Sequence, residues 1–298
     1  MLQRSIGEKV FNVFNIIGFF LFTMLMLIPI MFVIKTSLDI SQIGEVQLNL
    51  LPVEPSLLFY RMVVKDESVY RPFINSIIIT ISGTSLSMVI NSLGAYTLSK
   101  RELAGNRFFI YFLIIIPMIF SGGIVPTYLL IRSLGLIDTL PVLFVPNAAN
   151  AWNMILIRNY YWSIPKSLSE SARIDGAQEF TVFFKIILPL AKPVLAAIAL
   201  FTGVGYWNTF MMAVIYIRDA RKYTFPVKLR ELIILGGDAE KNLEEMLMQL
   251  GLDPTEYFLS VEGLSSAMMI VSMVPIILVY PYLQKYFAKG LMIGSIKG

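Results

Sequence analysis

Six long stretches of this chain contain no aspartate, glutamate, lysine, arginine or histidine. An α-helix needs about 20 mainly apolar residues to cross the hydrocarbon core of a bilayer, and each stretch is close to that length or longer. The sequence therefore predicts an all-α membrane protein with six transmembrane helices. The stretches are Phe11–Ile34, Phe73–Ser99, Phe108–Ile131, Thr139–Ile157, Pro193–Ile217 and Gly263–Gln284.

Two of these stretches carry signs of interruption. The fourth contains two prolines and three asparagines, so five helices plus a re-entrant segment is the alternative. In the third, Ser121-Gly122-Gly123 lies between Pro117 and Pro126 and is expected to break or kink the helix, and such breaks often lie near transport routes. The interrupting residues of the fourth stretch are Pro141, Pro146, Asn147, Asn150 and Asn153.

The composition excludes several classes of function. Hydrophobic residues make up 56% of the 298 residues and charged residues 15%, whereas a soluble domain would have about 25% charged residues. With no cysteine and no histidine, the chain has no disulfides, thiolate metal sites or usual zinc sites. It contains no P-loop motif, so it cannot form a Walker-type ATP site. The net charge of +4 does not suggest nucleic acid, because the basic residues lie beside the predicted spans.

The charge-free stretches divide the chain into three parts. Residues 1–72 hold the first span and an outside loop, residues 73–284 hold five spans, and residues 285–298 form a C-terminal tail. The first apolar run is too long for a signal peptide and lacks a cleavage site. The short Lys100–Arg107 loop has three basic residues and one acid, which favours the cytoplasm. With six spans both termini then lie in the cytoplasm, and residues 218–262 form a second outside loop.

A distinctive segment lies between the fourth and fifth stretches, where Glu170–Pro189 reads ESARIDGAQEFTVFFKIILP. Ser167 and Glu170 fit a capping box, which predicts a short helix over 168–175. Gly176 permits a backbone turn that a side chain would obstruct. A second short helix over 178–188 is then expected to lead to Pro189 and the next span.

This segment resembles the EAA loop of permease subunits in binding-protein-dependent ABC importers. The family pattern is Glu-Ala-Ala, three residues, Gly, nine residues, Ile, any residue, Leu-Pro. The chain departs from it at Ser171, where the family usually has alanine. The combined signal resembles carbohydrate-uptake subunits of the MalG-like group, and within that group it is most similar to the LplC/YtcP type. The resemblance covers most of the chain and is less distinctive over residues 1–72. The positions that correspond to the pattern, including the departure at Ser171, are Glu170, Ser171, Ala172, Gly176, Ile186, Leu188 and Pro189.

The resemblance implies the type I ABC importer permease fold, with a cytoplasmic coupling-helix loop over 163–189, in a bacterial inner membrane. It implies that this chain is not an enzyme and binds no cofactor or metal, because separate ATPase subunits hold ATP and Mg²⁺. The other expected partners are a second homologous permease subunit, an extracytoplasmic solute-binding protein and membrane lipid, with no nucleic acid. The expected ATPase-coupling residues are Glu170, Ser171, Ala172, Asp175, Gly176 and Ala177.

Polar and aromatic residues inside the apolar stretches are candidates for a substrate pathway, because polar groups in a bilayer tend to face a cavity or another helix. The three asparagines of the fourth stretch recur at i, i+3 and i+6, so they are predicted to share roughly one helix face. Amides bind sugar hydroxyls and aromatic rings stack on sugar C–H faces, although helix–helix packing is the alternative. The candidates are Asn147, Asn150, Trp152, Asn153, Tyr206, Trp207 and Asn208.

The resemblance implies a permease for a carbohydrate, expected to be an oligosaccharide. A non-sugar solute is the alternative within the family. An ion-coupled secondary transporter is the alternative outside it, but that class needs ionisable residues inside its spans, which the six stretches lack.

In the second outside loop, apolar residues over Glu240–Gly251 follow a helical period. They predict an amphipathic helix that packs on the permease's own outer surface or helps to dock the binding protein.

Overall fold

A computed structural model describes residues 6–40, 51–100, 102–103, 105–120, 122–236 and 254–294. These ranges are mainly α-helical and contain no β-strand; one isolated antiparallel bridge pairs Asp39 with Pro55. The predicted amphipathic helix over Glu240–Gly251 lies outside the described residues. The helices are α1 (Ile6–Leu38), α2 (Leu58–Lys65), α3 (Glu67–Ser99), α4 (Asn106–Ile119), α5 (Ile124–Ser133), α6 (Ala151–Ser163), α7 (Lys166–Ile174), α8 (Glu179–Leu190), α9 (Lys192–Trp207), α10 (Met211–Tyr216), α11 (Phe225–Gly236) and α12 (Pro254–Gly294).

Three of the described helices are long and apolar enough to cross a membrane. They are Phe11–Leu38 of α1, the whole of α3, and Val261–Pro281 of α12. Helices α8 and α9 qualify only as a pair, and they are bent by 77° where they meet. Helix α12 continues to Gly294, so residues 285–294 of the predicted tail are helical. The first, second and sixth predicted stretches thus lie in continuous helices, whereas the third, fourth and fifth are each divided.

In the third and fourth stretches, the helices are interrupted at glycines or prolines. The predicted break in the third is confirmed, because α4 ends at Ile119 and α5 begins at Ile124 after Gly123, whose φ is +80°. The fourth stretch is not one spanning helix: it forms a single 3₁₀ turn over Leu140–Leu143, a non-helical turn, and then α6. Pro146 explains this difference, because it has no N–H group to continue a helix.

Two helices contain a wide π turn, and in each a proline follows it by two residues. The π turn of α4 is Tyr111–Ile115, ahead of Pro117, and that of α8 is Phe183–Ile187, ahead of Pro189. A proline inside a helix removes one backbone hydrogen bond and its ring crowds the carbonyl four residues earlier. A π turn widens the helix at that place. Pro189 therefore shapes the helix that leads from the EAA-like segment into α9.

The first of two compact units comprises Met1–Glu67 and Leu229–Val274. It contains a buried carboxylate, Asp39, directly after the end of α1. The Asp39 carboxylate accepts hydrogen bonds from the backbone N–H groups of Val53 and Glu54 at 3.1 and 3.2 Å, and Lys35 Nζ lies 3.9 Å away. These contacts hold the segment before α2 against the end of α1.

The second unit comprises Ser68–Lys228 and Pro275–Gly298 and contains two hydrophobic cores. One core is built from the C-terminal half of α3 with α4, α6, α8 and α9, and Ile157 and Val182 are fully buried in it. The other is built around the 3₁₀ turn, where Val142 packs with Ile79 of α3 and Ala213 of α10. Tyr206, one of the candidate substrate residues, belongs to the second core, and the EAA-like segment packs on the first.

Candidate substrate cavity and coupling loop

A cavity of about 360 Å³ lies in the second unit beside the start of α6. We call it the polar cavity. Its volume is within the about 300–1,000 Å³ that is usual for small-molecule sites. The three asparagines of the fourth stretch all line it, together with one of the aromatic candidates. Its lining residues are Ser87, Leu143, Asn147, Asn150, Asn153, Phe201, Thr202, Gly205, Tyr206 and Thr209.

The three asparagines line this cavity, but their local structure differs from the prediction. They do not share a helix face, because Asn147 lies in the turn before α6 and Asn150 is the N-cap residue of that helix. The Asn150 side chain accepts a hydrogen bond from the backbone N–H of Asn153 at 2.9 Å, as N-cap residues commonly do. Asn153 Nδ2 in turn donates to Thr202 Oγ1 of α9 at 3.2 Å. The turn and the cap together bring the three amides to one cavity.

Asn91 of α3 fixes this turn, and the sequence reasoning missed it. Asn91 is fully buried. Its Nδ2 donates to the Ala148 carbonyl at 2.9 Å, and its Oδ1 accepts from the Asn150 N–H at 2.8 Å. A signal was present in the sequence, because an amide inside an apolar spanning segment needs a hydrogen-bond partner. Asn75 of the same helix plays a similar part, donating to the backbone carbonyls of Arg221 and Tyr223 at 2.9 and 3.0 Å.

Of the aromatic candidates, only Tyr206 lines the polar cavity. Its hydroxyl donates to the Phe144 carbonyl at 3.2 Å. Trp207 is buried and packs edge-on against Phe73 with ring centroids 5.5 Å apart. Trp152 is 59% exposed and does not line the cavity.

Asn208, the last candidate, ends α9 as its C-cap residue and is also not in the cavity lining. Four of the seven candidates therefore converge, and Trp152, Trp207 and Asn208 do not join them.

The polar cavity has a neutral lining. It presents three carboxamides and the hydroxyls of Ser87, Thr202, Tyr206 and Thr209, and none of its lining residues is charged. Amides and hydroxyls donate and accept hydrogen bonds, so this surface can bind a polyhydroxylated molecule without neutralising a charge.

The EAA-like segment folds as a short helical hook made of α7, a turn and α8. We refer to this hook as the coupling loop, after the role that the resemblance implies for it. The two short helices are close to the predicted ranges, but the capping box is wrong. Helix α7 begins at Lys166, directly after Pro165, and no side chain caps its first turn. Of the expected coupling residues, Ala172 and Ala177 pack against the hydrophobic core. The exposed ones are Glu170, Ser171, Asp175 and Gly176.

Gly176 forms the turn between the two helices, as predicted. Its φ of +82° lies in the left-handed region that favours glycine. Its N–H donates to the Arg173 carbonyl at 3.0 Å, and the Ala177 N–H donates to the Ala172 carbonyl at 2.9 Å. These two bonds form a Schellman motif. The motif ends α7 and reverses the chain into α8.

Glu179, at the start of α8, binds three donors and was not among the predicted residues. Its Oε2 accepts from Tyr96 Oη at 2.6 Å and from Lys100 Nζ at 2.7 Å, and its Oε1 accepts from Arg173 Nε at 2.8 Å. Partial burial acts to raise the pKa of the Glu179 carboxyl, but the three hydrogen bonds outweigh it and lower the pKa to about 2. The carboxylate is therefore ionised at neutral pH and joins α7 and α8 to the end of α3.

No group of three or more acidic, histidine or cysteine residues that could hold a metal ion occurs in the part of the chain that the structure describes.

The chain matches the family described as "Binding-protein-dependent transport system inner membrane component" over residues 1–293. It is 40% identical to the Bacillus subtilis polygalacturonan/rhamnogalacturonan transport system permease protein YtcP, over 95% of this chain and 97% of that protein. It is 38% identical to Bacillus subtilis protein LplC, over 100% of this chain and 98% of that protein.

A solved structure is also similar, with a TM-score of 0.84 and 30% identity over 96% of this chain and 100% of the other. It is described as a crystal structure of a bacterial ABC transporter involved in the import of the acidic polysaccharide alginate. The chain therefore belongs to the family of inner membrane components of binding-protein-dependent transport systems, the permease subunits of ABC importers, which leave ATP hydrolysis to a separate ATPase.

Proposed function

We propose that this chain is one of two homologous permease subunits of an ATP-driven importer of a carbohydrate, expected to be an oligosaccharide. An extracytoplasmic solute-binding protein delivers the sugar. The observation that carries the proposal is the polar cavity, in which amides, hydroxyls and a tyrosine converge without a charged side chain. The names of the relatives support it, because YtcP is a transport permease for polygalacturonan and rhamnogalacturonan, and AraQ of Bacillus subtilis, 27% identical, is one for arabinooligosaccharides.

The coupling loop is the proposed contact with the ATPase subunits, which bind ATP and Mg²⁺. Glu170 and Asp175 are exposed on it, and so are two large apolar side chains, Ile174 at 86% and Phe180 at 72%. Exposed apolar side chains rimmed by polar residues often mark a protein interface. This role implies that the loop and both termini lie in the cytoplasm. ATP-driven closure of the ATPase pair would then displace the loops of both permease subunits and open the cavity to the outside.

The cavity favours the neutral face of a sugar over its charged groups. An isolated carboxylate is costly to bury without an opposite charge, and no lysine or arginine lines this cavity. The solved neighbour belongs to an importer of an acidic polysaccharide. If this importer also carries an acidic oligosaccharide, the cations that bind its carboxylates lie outside the lining of this cavity.

The testing experiment begins with the assembly. The chain is purified in mild detergent from its native membrane, and proteins that co-purify are identified by mass spectrometry. We expect a second permease and an ATPase. The complex is then placed in proteoliposomes with the cognate binding protein, and uptake of labelled neutral and uronate oligosaccharides is measured with ATP and with an uncoupler. ATP-dependent uptake that survives the uncoupler is the expected result. Uptake that the uncoupler abolishes would indicate a secondary transporter.

The role of the cavity is tested by one pair of variants on α6. Asn153→Leu replaces a cavity amide by an apolar side chain of similar size, and we expect sugar uptake to fall while assembly and basal ATP hydrolysis persist. Asn159→Leu is the matched control, because Asn159 is exposed on the same helix and does not line the cavity. Equal uptake by the two variants would remove the cavity from the sugar pathway and leave packing as the role of Asn153.

A further inference from the structure

The coupling loop is attached to the rest of the second unit by contacts of two kinds. Ala172 and Ala177 pack against the hydrophobic core, and this contact resembles ordinary helix packing. The other attachment is polar and converges on Glu179. Its carboxylate binds Arg173 of α7, Tyr96 of α3 and Lys100, the residue directly after α3.

The position of Arg173 and Glu179 around the turn gives this carboxylate a mechanical role. Arg173 lies three residues before Gly176 and Glu179 three residues after it, so their bond at 2.8 Å closes the hook across its turn. Glycine gives the backbone more conformational freedom than other residues. The bond across the turn opposes this freedom and makes α7 and α8 move together.

The other end of the connection is held by side-chain hydrogen bonds. At the C-terminus of α3, the Leu98 carbonyl accepts from Arg158 Nε at 2.9 Å and the Ser99 carbonyl accepts from Trp162 Nε1 at 2.8 Å. The Arg158 guanidinium lies 3.7 Å over the Trp162 ring. These bonds satisfy carbonyls that a helix end would otherwise leave without partners.

Helix α3 also carries one wall of the polar cavity. Ser87 lines the cavity, and Asn91 binds the backbone of the turn that presents Asn150. Ser87 and Tyr96 are separated by roughly 14 Å along the helix at 1.5 Å per residue. A single helix therefore joins the Glu179 carboxylate to the groups that shape the cavity.

We propose that Glu179 is a positioning residue for coupled transport: it binds the coupling loop to the end of α3, so that displacement of the loop by the ATPase moves the cavity wall that α3 carries. This inference rests on the proposed function of the coupling loop and of the polar cavity. In this proposal the hydrogen bonds of Glu179 remain formed throughout the transport cycle. The ion pairs are partly exposed, with 55% of the Glu179 side chain accessible, and exposed pairs add little to stability. The ion pairs therefore contribute to the position of the coupling loop and little to the stability of the protein.

The first test separates coupling from assembly. In the reconstituted complex, Glu179→Gln keeps the size of the side chain and removes its charge. We expect transported sugar per ATP hydrolysed to fall about fivefold or more, while the thermal stability of the complex and the amount of bound ATPase are retained. Glu102→Gln is the matched control, because Glu102 is an exposed acid at the same end of α3. The inference is overturned if Glu179→Gln transports as much sugar per ATP hydrolysed as the wild type while the ATPase remains bound.

The second test asks whether a covalent link can replace the carboxylate. The chain has no cysteine, so Lys100→Cys with Glu179→Cys introduces the only pair. We expect the double variant to be uncoupled and a short bifunctional thiol reagent to raise its sugar-to-ATP ratio, with no effect on either single variant. Complete cross-linking that leaves the ratio low overturns the inference.

Failure of the proposed function has a different signature in these experiments. In that case the wild-type complex itself shows no ATP-dependent sugar uptake or retains no ATPase. Failure of the inference alone leaves the wild type fully active and the Glu179 variants equally coupled.

Discussion

Asn91 and Asn150 lie 59 positions apart in the chain, and the backbone N–H of Asn150 donates to Asn91 Oδ1 at 2.8 Å. The same Asn91 amide donates to the Ala148 carbonyl at 2.9 Å. One buried side chain on α3 thus satisfies two backbone groups of the turn before α6. The turn carries two asparagines of the polar cavity, so the shape of the cavity depends on a residue that does not itself line it.

Replacement of Asn91 by leucine is predicted to destabilise the protein. A leucine side chain at this position would leave the Asn150 N–H and the Ala148 carbonyl without this partner. Ala148 is buried, and an unsatisfied buried carbonyl costs about 1–3 kcal/mol. The measurement is thermal unfolding of the purified complex in detergent, followed by sugar uptake. Asn208→Leu is the control, because Asn208 is exposed. Equal losses of stability in the two variants would contradict the assignment.

The parts of the fold that depend on nearby residues were predictable from the sequence. Gly176 and the Gly122-Gly123 pair mark backbone turns, because glycine adopts positive φ without strain, and the structure has φ of +82° at Gly176 and +80° at Gly123. The asparagine cluster was also predictable as a polar site, because its members are close in sequence and lie in an otherwise apolar stretch.

The parts that depend on distant residues were not predictable. The geometry of the asparagine turn requires Asn91, and the role of Glu179 requires Lys100, which is 79 positions away. Tyr206 and Trp207 are neighbours in the chain but point about 100° apart around a helix. The burial of Trp207 and its contact with Phe73 show that it belongs to the core and not to the polar cavity.

Gly83 of α3 is predicted to tolerate no side chain. A Cβ atom there would lie 2.8 Å from Phe144 Cβ and 2.9 Å from the Tyr206 ring, and neither group can move freely. Overpacking of this kind costs about 1–3 kcal/mol, and any shift of Tyr206 alters the polar cavity. We expect Gly83→Ala to lower both the unfolding temperature and sugar uptake.

Gly94 on the same helix supplies the control for this prediction. A Cβ atom at Gly94 would meet the end of the Met154 side chain, with Cε at 2.9 Å. Methionine is flexible and adapts to irregular space, so Gly94→Ala is expected to remain close to wild type. If Gly94→Ala is the more damaging of the two, the close approach at Gly83 does not control the cavity.

Gly176 is predicted to be required for its backbone conformation and not for space. A Cβ atom at this position would have no neighbouring heavy atom within 4 Å, whereas the left-handed conformation costs a non-glycine residue about 1–2 kcal/mol. Asparagine adopts this conformation more readily than a β-branched residue. Gly176→Asn should therefore retain more ATPase binding and uptake than Gly176→Val. Equal activity of the two variants would show that the Schellman turn is not required.

The contribution of Glu179 to coupling is predicted to be independent of pH over the neutral range. Its carboxyl pKa is lowered from 4.5 to about 2, so the stabilisation it brings is complete above the unfolded-state value and is lost only as the pH falls through about 2. The sugar-to-ATP ratio of wild type relative to Glu179→Gln should then stay constant between about pH 6 and pH 8. Glu102→Gln corrects for pH effects on the binding protein and the ATPase. A ratio that converges to one near the acidic end of this range would mean that the carboxylate titrates there, which requires that Lys100 and Arg173 are not bound to it during transport.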